Sequence, residues 1–380
     1  MVNGARVAVV AMGDMARSPR MLNHDLELAD NGFVPILIGY RGQDFNPPPG
    51  VRVAALDGGR SARRGGSALR FAISAGLRMS RLFFALLGTL LHEQPEVILL
   101  QNPPSFPTLS AAMLASSWLG STVIVDWHNY GFSLLALRLG ELHWLVGVAR
   151  WYEFRAGRRA DAHLCVSQAM RADLLRHGID AEVLYDKPVA LHTNSHAVPS
   201  PRMVAVCPAG WTADEDIELL LAALNLLPDA ALTIYITGDG VKRKELEPDL
   251  QTLRAMGVLV DTGFLPENEY WDLIGRANLG LSLHRSSSGL DLAMKVVDLY
   301  SARVPVCALD YGGSIREQIE EEVTGFLFHT AQDLARLLRR LVSAPETFTP
   351  MRRAIAVRWP TASWNDEWKR VVLPALGIKS

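Results

Sequence analysis

Arg6-Val-Ala-Val-Val-Ala-Met-Gly-Asp-Met-Ala-Arg-Ser-Pro-Arg-Met21 joins an apolar run of strand character to a short polar turn and a helix start. Ser18 is placed to cap that helix, and Pro19 suits its first position. A helix N-terminus flanked by Arg17 and Arg20 suits a phosphate, although an ordinary capped turn explains the same residues. The spacing GxGxxG is absent, so this is not a dinucleotide fingerprint. Outward from this unit the strand–loop–helix pattern repeats. Strands are expected at 6–13, 34–40, 51–56, 97–102, 122–127, 162–167 and 181–186, with helices such as 18–31 and 106–118 between them. The alternation predicts an α/β fold built of parallel βα units.

The pattern breaks at 187–202 (KPVALHTNSHAVPSPR), which carries three prolines and little apolar content and reads as a linker. It then restarts with strands at 203–209, 232–237, 258–264, 279–284 and 305–309. Helices are expected at 214–227, 242–256, 289–301 and 331–342. The expected organisation is two doubly wound Rossmann-like domains, 1–190 and 203–350, facing a cleft and joined by a linker at 191–202. A helical tail, 351–380, packs back toward the first domain. Its tryptophans Trp359, Trp364 and Trp368 need something to pack against. Ligands in such sheets sit beyond the carboxyl ends of the strands.

Composition sets the class. The chain has 380 residues, 49% of them hydrophobic and 21% charged, which is globular and long enough for two cores. A net charge of −2 argues against a nucleic-acid partner. Cys165, Cys207 and Cys307 lie far apart in apolar runs and read as buried free thiols of a reducing compartment. No metal-ligand cluster is visible, and no cofactor is expected. The N-terminus leads straight into a strand without signal-peptide features, which points to a cytoplasmic protein. The stretch Leu69–Leu91 is apolar but interrupted by Arg70, Arg78 and Arg81. It suits either an interfacial helix on anionic lipid or an amphipathic helix packed on the sheet.

Three loops carry chemistry. The first is the turn holding Asp14, Arg17 and Arg20. The second, Asp126-Trp-His-Asn-Tyr-Gly131, follows a strand and offers aromatic faces (Trp127, Tyr130) and polar groups (Asn129, Asp126) suited to a sugar. Within it His128 has the intrinsic pKa of a general base near neutrality. In the third, His284 to Asp298 (HRSSSGLDLAMKVVD), Ser286, Ser287, Ser288 and Gly289 turn the chain into a helix starting near Leu290. Free N–H groups, serine hydroxyls and Lys295 suit a diphosphate. Asp291 and Asp298, seven apart, are expected on one helix face, one for the sugar and one for ribose hydroxyls. Weaker signals are Gly210, Trp211 and Thr212 after one strand, Gly238 after the next, and Asn102 before a double proline. Leu265, just past 258–264, completes the donor-side set.

These stretches resemble the chitobiosyldiphosphodolichol β-mannosyltransferases. The matching runs are GDMARSPRM, LQNPPS, VIVDWHNYGFS, YDKP, WTADEDIELLLAAL, ITGDG and SSSGLDLAMKVVDLY, in the family's order from Gly13 to Tyr300, with a further likeness over 364–374. DWHNYG and SSSGLDLxMKVVD are specific, whereas ITGDG and the proline pairs are generic. The resemblance implies a GT-B fold and an inverting glycosyltransferase. It implies GDP-mannose as donor, a glycolipid or saccharide acceptor, and a β-1,4-mannosyl product. It puts Asp298 on the ribose and Lys295 near the phosphates. Asn102, Trp127, Asn129, Tyr130, Arg17 and Arg20 fall on the acceptor side.

Three features depart from the family. The family's N-terminal membrane helix has no counterpart before the first strand, Ala293 stands where proline is usual, and residues 192–201 carry almost no insertion. They suggest a bacterial-type relative whose acceptor is another lipid diphosphate-linked saccharide, with Leu69–Leu91 supplying peripheral membrane contact. Asp14 and His128 remain alternative bases. The rival readings are a retaining transferase with another nucleotide sugar, a nucleotide-sugar epimerase, and a silent sugar-nucleotide binding protein.

Overall fold

The structure is a computed structural model that describes residues 4–42, 45–56, 68–187, 192, 202–227, 231–256, 259–359 and 363–377. For residues 17, 68–75, 259–262 and 363 only the backbone is described. The expected linker therefore falls outside the described residues, apart from His192 and Arg202. The chain forms two compact units, one of Met1–Tyr185 with Asn365–Ser380 and one of Asp186–Trp364.

In the first unit the strands are β1 (Arg6–Asp14), β2 (Val34–Tyr40), β3 (Arg52–Ala55), β4 (Val97–Asn102), β5 (Thr122–Trp127), β6 (Ala162–Cys165) and β7 (Glu182–Val183). The helices are α1 (Pro19–Asp30), α2 (Ala68–Glu93), α3 (Thr108–Leu119), α4 (Gly131–Leu139), α5 (Trp144–Gly157) and α6 (Gln168–Arg176). The strands pair in the order β3-β2-β1-β4-β5-β6-β7, and every pairing is parallel. Such sheets are covered on both faces, so their strands read as continuous apolar runs. Val7 to Ala11 and Val97 to Leu100 are accordingly buried throughout. The strand order reverses direction between β1 and β4, so a crevice is expected at the carboxyl ends of these two strands. The turn at Asp14 and the Asn102 loop are the chain's exits from them.

The second unit repeats the plan with β8 (Met203–Pro208), β9 (Leu232–Thr237), β10 (Leu259–Gly263), β11 (Leu279–Ser282), β12 (Val306–Leu309) and β13 (Gly325–Phe328). Its helices are α7 (Ile217–Leu224), α8 (Val241–Ala255), α9 (Glu267–Arg276), α10 (Met294–Ser301), α11 (Ile315–Gln318), α12 (Ala331–Ser343) and α13 (Phe348–Arg358). Its order is β10-β9-β8-β11-β12-β13, with the reversal between β8 and β11. Gly238, just past β9, has φ +88°, and a Cβ there would collide with the Ala209 carbonyl oxygen. Only glycine lets the exits of β8 and β9 approach so closely.

β13 was not anticipated, because GFLF is too short to show a period. The tail forms two helices, as the helical reading allows. α13 buries Met351 and Ile355 in the cores of the second unit, and Trp359 lies tilted on Tyr300. The last helix, α14 (Ser363–Ala375), packs in the first unit, where Asn365 Nδ2 donates to Glu27 Oε2 at 2.7 Å. The three cysteines are buried and free. Among the described residues no helix is long and apolar enough to cross a membrane.

α1 buries one carboxyl that finds no compensation. Among the described residues neither oxygen of Asp25 has a hydrogen-bond partner, and burial pushes its pKa well above the usual value. Folding therefore favours the protonated form, so the stability this site allows is complete below the ordinary carboxylate pKa and is lost as pH rises through the raised one. Leucine matches aspartate in shape without the charge. Asp25→Leu is expected to raise stability by about 1–3 kcal/mol near neutral pH, with the gain shrinking on acidification in urea titrations. Destabilisation at neutral pH would show that the carboxylate has a partner.

Candidate active site

β5 delivers Asp126 to the end of the first sheet in register with Leu164 of β6. Asp126 is fully buried yet surrounded by donors. Arg20, in the first turn of α1, grips it with a fork: Nε donates to Oδ2 at 2.8 Å and Nη2 to Oδ1 at 2.9 Å. Its third arm, Nη1, donates to the Leu184 carbonyl at 2.8 Å. His24 Nε2 lies 3.2 Å and His128 Nε2 2.8 Å from Oδ2. Burial works against the charged carboxylate, but Arg20 and His128 outweigh it and hold the Asp126 pKa well below the usual range.

The partners decide the tautomers. Trp368 of α14 donates its indole N–H to His24 Nδ1 at 2.8 Å. An indole only donates, so His24 Nδ1 is a lone pair and the ring proton sits on Nε2, facing Asp126. Burial lowers the His24 pKa despite Asp126, in keeping with a neutral ring. An ionised carboxylate only accepts, so His128 Nε2 also carries hydrogen. Neutral His128 is thus left with its Nδ1 lone pair, on a side chain that is 19% exposed.

A second buried acid shapes the same loops. Glu153 of α5 accepts from Asn102 Nδ2 at 2.6 Å and from the backbone N–H groups of Gly131 and Phe132 at 2.9 and 3.1 Å. It caps the start of α4 and ties the β4 exit to the β5 exit. Burial raises its pKa, while these donors oppose the shift. Asn129 Oδ1 accepts from the Tyr130 N–H at 2.7 Å, which tightens the loop further.

Several expected contacts need correction here. Trp127 and Tyr130 are 0% and 2% exposed and pack on Phe154, so they are core rather than a platform for a sugar. Tyr130 also donates to Asp173 Oδ2 at 2.8 Å. Arg20 is not available for phosphate, because its charge is matched by Asp126. Asn102 is fully buried on Glu153. Asp14 Oδ1 accepts from the Ala16 N–H at 3.1 Å and caps a short 3-10 turn. The Arg17 side chain lies outside the described residues.

In the second unit, Lys295 and Asp298 lie three apart on α10 and share a face. Lys295 is ion-paired with Glu215, which also accepts from the Gly210 N–H at 2.7 Å; burial lowers the Lys295 pKa. Tyr270 donates to Asp298 Oδ2 at 3.1 Å, and burial pushes the Asp298 pKa up to about 6. The expected helix from Leu290 is absent; α10 begins at Met294, so Asp291 lies in the preceding loop. Its carboxylate accepts from Ser286 and meets His284 Nε2 at 2.9 Å, while its carbonyl takes hydrogen bonds from Tyr311 and Ser314. A carbonyl so engaged cannot continue a helix. Burial opposes protonation of His284, but Asp291 and Asp214 outweigh it and raise its pKa.

The loop serines stabilise the loop itself: Ser286 Oγ accepts from the Gly289 N–H at 2.8 Å and Ser288 Oγ from the Leu290 N–H at 3.2 Å. Ser287 is half-buried in the same turn. Trp211 is buried with φ 52°, and its indole donates to the Thr237 carbonyl at 3.1 Å, so its ring does not face solvent. Thr212 is exposed and Gly210 and Gly238 are half-buried near it. Leu265 packs on the core cluster containing Val296. Sequence reasoning missed His24, Glu153, Glu215, Tyr270 and Trp368. A lone acid inside an aromatic run (WYEF) was the available signal for Glu153; nothing local marked His24.

Comparison with known proteins bears on both units. Residues 3–185 match the family described as Glycosyl transferase 4-like domain, and residues 200–344 match Glycosyl transferases group 1. The chain is 30% identical to the chitobiosyldiphosphodolichol beta-mannosyltransferase of Mus musculus, over 97% of its own length and 89% of that protein. It is 34% identical to the enzyme of that name from Arthroderma benhamiae, over 74% of the chain and 71% of the relative. It is also 30% identical to the UDP-glycosyltransferase TURAN of Arabidopsis thaliana, over 98% of this chain and 97% of that one. Among solved structures, Anabaena HepE in complex with UDP-glucose superposes with TM-score 0.71 at 15% identity, covering 97% of this chain and 99% of that one. WaaG, a glycosyltransferase involved in lipopolysaccharide biosynthesis, gives 0.70 at 12%, covering 98% and 100%.

The Asp126 cluster has a pH signature opposite to that of Asp25. Its stability is present above the ordinary carboxylate pKa and is lost as pH falls through the depressed one. Asp126→Asn should remove that dependence and cost about 3–5 kcal/mol by leaving Arg20 buried without its counter-charge. Trp368→Phe keeps most of the buried ring but strips His24 of its donor, a loss of about 1–3 kcal/mol in chemical denaturation. A change in Trp368→Phe within measurement error would show that the tail does not support the cluster.

Proposed function

The chain belongs to the family of the chitobiosyldiphosphodolichol β-mannosyltransferases and is a glycosyltransferase, and we propose that it transfers mannose from GDP-mannose, with inversion, to a lipid diphosphate-linked saccharide. The observation that carries the mechanism is the 2.8 Å contact of His128 Nε2 with Asp126. It favours His128 over Asp14 as base, because the Asp14 carboxylate already caps a turn. His128 Nδ1 takes the proton from the acceptor hydroxyl as its oxygen attacks the anomeric carbon in line. The bond to the diphosphate breaks, GDP departs, and the α-linked donor yields a β-linked product. Asp126, holding Nε2–H, stabilises the imidazolium that forms.

On the donor side, Asp298 and Tyr270 suit the ribose hydroxyls and Lys295 the diphosphate. Lys295 is paired with Glu215, so donor binding requires it to exchange one anionic partner for another. The relatives named mannosyltransferases support mannose as the sugar, and GDP as its carrier is part of the proposal. A UDP-sugar donor is the second reading, favoured by the likeness to a relative named a UDP-glycosyltransferase.

Purified protein given GDP-mannose and short lipid diphosphate-linked saccharides should form a β-mannosidic product, identified by NMR of the anomeric proton. An α product would make the enzyme retaining; turnover of UDP-glucose but not GDP-mannose would transfer the assignment to the second reading. His128→Ala is expected to lower kcat by about 10²–10⁴ with donor KM little changed, whereas Asp14→Ala retains turnover. Near-normal rates in both variants would remove the general base from this loop. Lys295→Ala should raise donor KM more than it lowers kcat.

A further inference from the structure

α4 and α5 form a hairpin that leaves much of its apolar surface exposed among the described residues. Leu142 at the tip is fully exposed, Leu137 is 63% exposed, and Trp144 and Trp151 are 69% and 68% exposed. Leu139, Leu145 and Val148 extend the same surface. On α5, Trp144, Val148, Trp151 and Arg155 follow one another at i, i+4, i+7 and i+11, a single helix face. The stripe is apolar near the tip and basic at its far end.

The charge is as one-sided as the apolar surface. From Gly131 to Arg159 the chain carries Arg138, Arg150, Arg155, Arg158 and Arg159 against two acids, Glu141 and Glu153, and Glu153 is buried on the start of α4. Arg150, Arg155 and Arg158, with Trp151 and His177, line an open cavity of about 310 Å³. Arg150 lies over the Phe132 ring at 5.5 Å, and Arg158 Nε donates to the His177 carbonyl at 2.5 Å, so the arginine end is held in place. Trp144 and Arg155 are separated by about 16 Å along the helix at 1.5 Å per residue.

The geometry points to the α4–α5 hairpin as a docking surface for an anionic lipid bilayer. Leu142 and Trp144 enter the boundary between head groups and acyl chains, and the arginine cavity takes lipid phosphates. Apolar tips and aromatic side chains beside basic ones suit that boundary, and each arginine near an anionic surface adds to the attraction. α4 begins immediately after the Asp126–Tyr130 loop, so a docked hairpin holds His128 close to the lipid surface, where a lipid-linked acceptor presents its sugar. α2 is a weaker candidate for the same role. Among the described residues of α2, Leu86 and Leu90 are buried, and Leu77 and Phe84 are the large exposed apolar side chains. The inference does not depend on which sugar is transferred.

Co-sedimentation of the full chain with vesicles tests it without any donor. The protein should bind vesicles of phosphatidylcholine mixed with phosphatidylglycerol, bind phosphatidylcholine alone weakly, and be released by salt. Leu142→Ser with Trp144→Ser should weaken binding on the order of tenfold or more, and Arg150→Gln with Arg155→Gln by about fivefold per arginine. Circular dichroism should show each variant folded, since every altered side chain is exposed. Equal vesicle binding by wild type and hairpin variants overturns the proposal. Loss of binding in Leu77→Ser with Phe84→Ser, but not in the hairpin variants, transfers the role to α2 and also overturns it. A dimer in sedimentation velocity that the Leu142→Ser, Trp144→Ser variant abolishes, with no vesicle binding, assigns the surface to a second copy instead.

Discussion

A single buried carboxylate organises the first unit. Asp126 lies out of water at the end of β5, and an ionised carboxylate there persists only if its charge and lone pairs are met. Arg20 meets the charge, and His24 and His128 complete the set. The donors come from separate parts of the chain: Arg20 and His24 from α1, His128 from the β5 exit, and, through His24, Trp368 from α14. The C-terminal helix thus supports the loop that carries His128 although more than two hundred residues separate them. Because the cluster is mutually satisfied, moving any member exposes a buried polar group, which makes it a rigid frame for a reactive side chain.

Glu153 plays a parallel role one layer away. It fills the N-terminus of α4, a place where a ligand anion could otherwise bind, and thereby joins the Asn102 and Gly131 segments. Around Asp126 and Glu153 the first unit thus neutralises Arg20 and the start of α4 internally and leaves an imidazole partly exposed. That arrangement suits handling a neutral sugar hydroxyl better than binding phosphate. The second unit differs. Lys295 and Asp298 share one face of α10, with Glu215 and Tyr270 as their partners, and both have pKa values displaced by burial. Groups so placed can exchange partners when a charged ligand enters, which suits a nucleotide diphosphate.

The fold was legible because parallel strands covered on both faces are apolar along their whole length. Runs such as Val34–Tyr40, Val97–Asn102 and Leu232–Thr237 coincide with strands for that reason. Four-residue Gly325–Phe328 left no such trace. The site was less legible. His128 and Lys295 stood out by residue type at strand exits, but their immediate partners, Asp126 apart, came from distant segments. His24 reads as one polar residue of α1, and only the fold brings Trp368 against it. Trp127 and Tyr130 misled in the opposite direction, since aromatic residues at a strand exit serve a core as readily as a sugar. The pair Asp291 and Asp298 shows a further limit. Seven-residue spacing implies one face only where the helix is continuous, and the hydrogen bonds of Asp291 end it short.

The central claim is that Asp126 fixes His128 with hydrogen on Nε2 and a lone pair on Nδ1. Long-range nitrogen–proton NMR correlation of the histidine rings in the ligand-free protein reads this directly. The account predicts that His24 and neutral His128 both appear as Nε2–H tautomers, and that Asp126→Asn releases His128 from that state while the Trp368 indole still holds His24 in it. A His128 ring found with its proton on Nδ1, or one unaffected by Asp126→Asn, would contradict it.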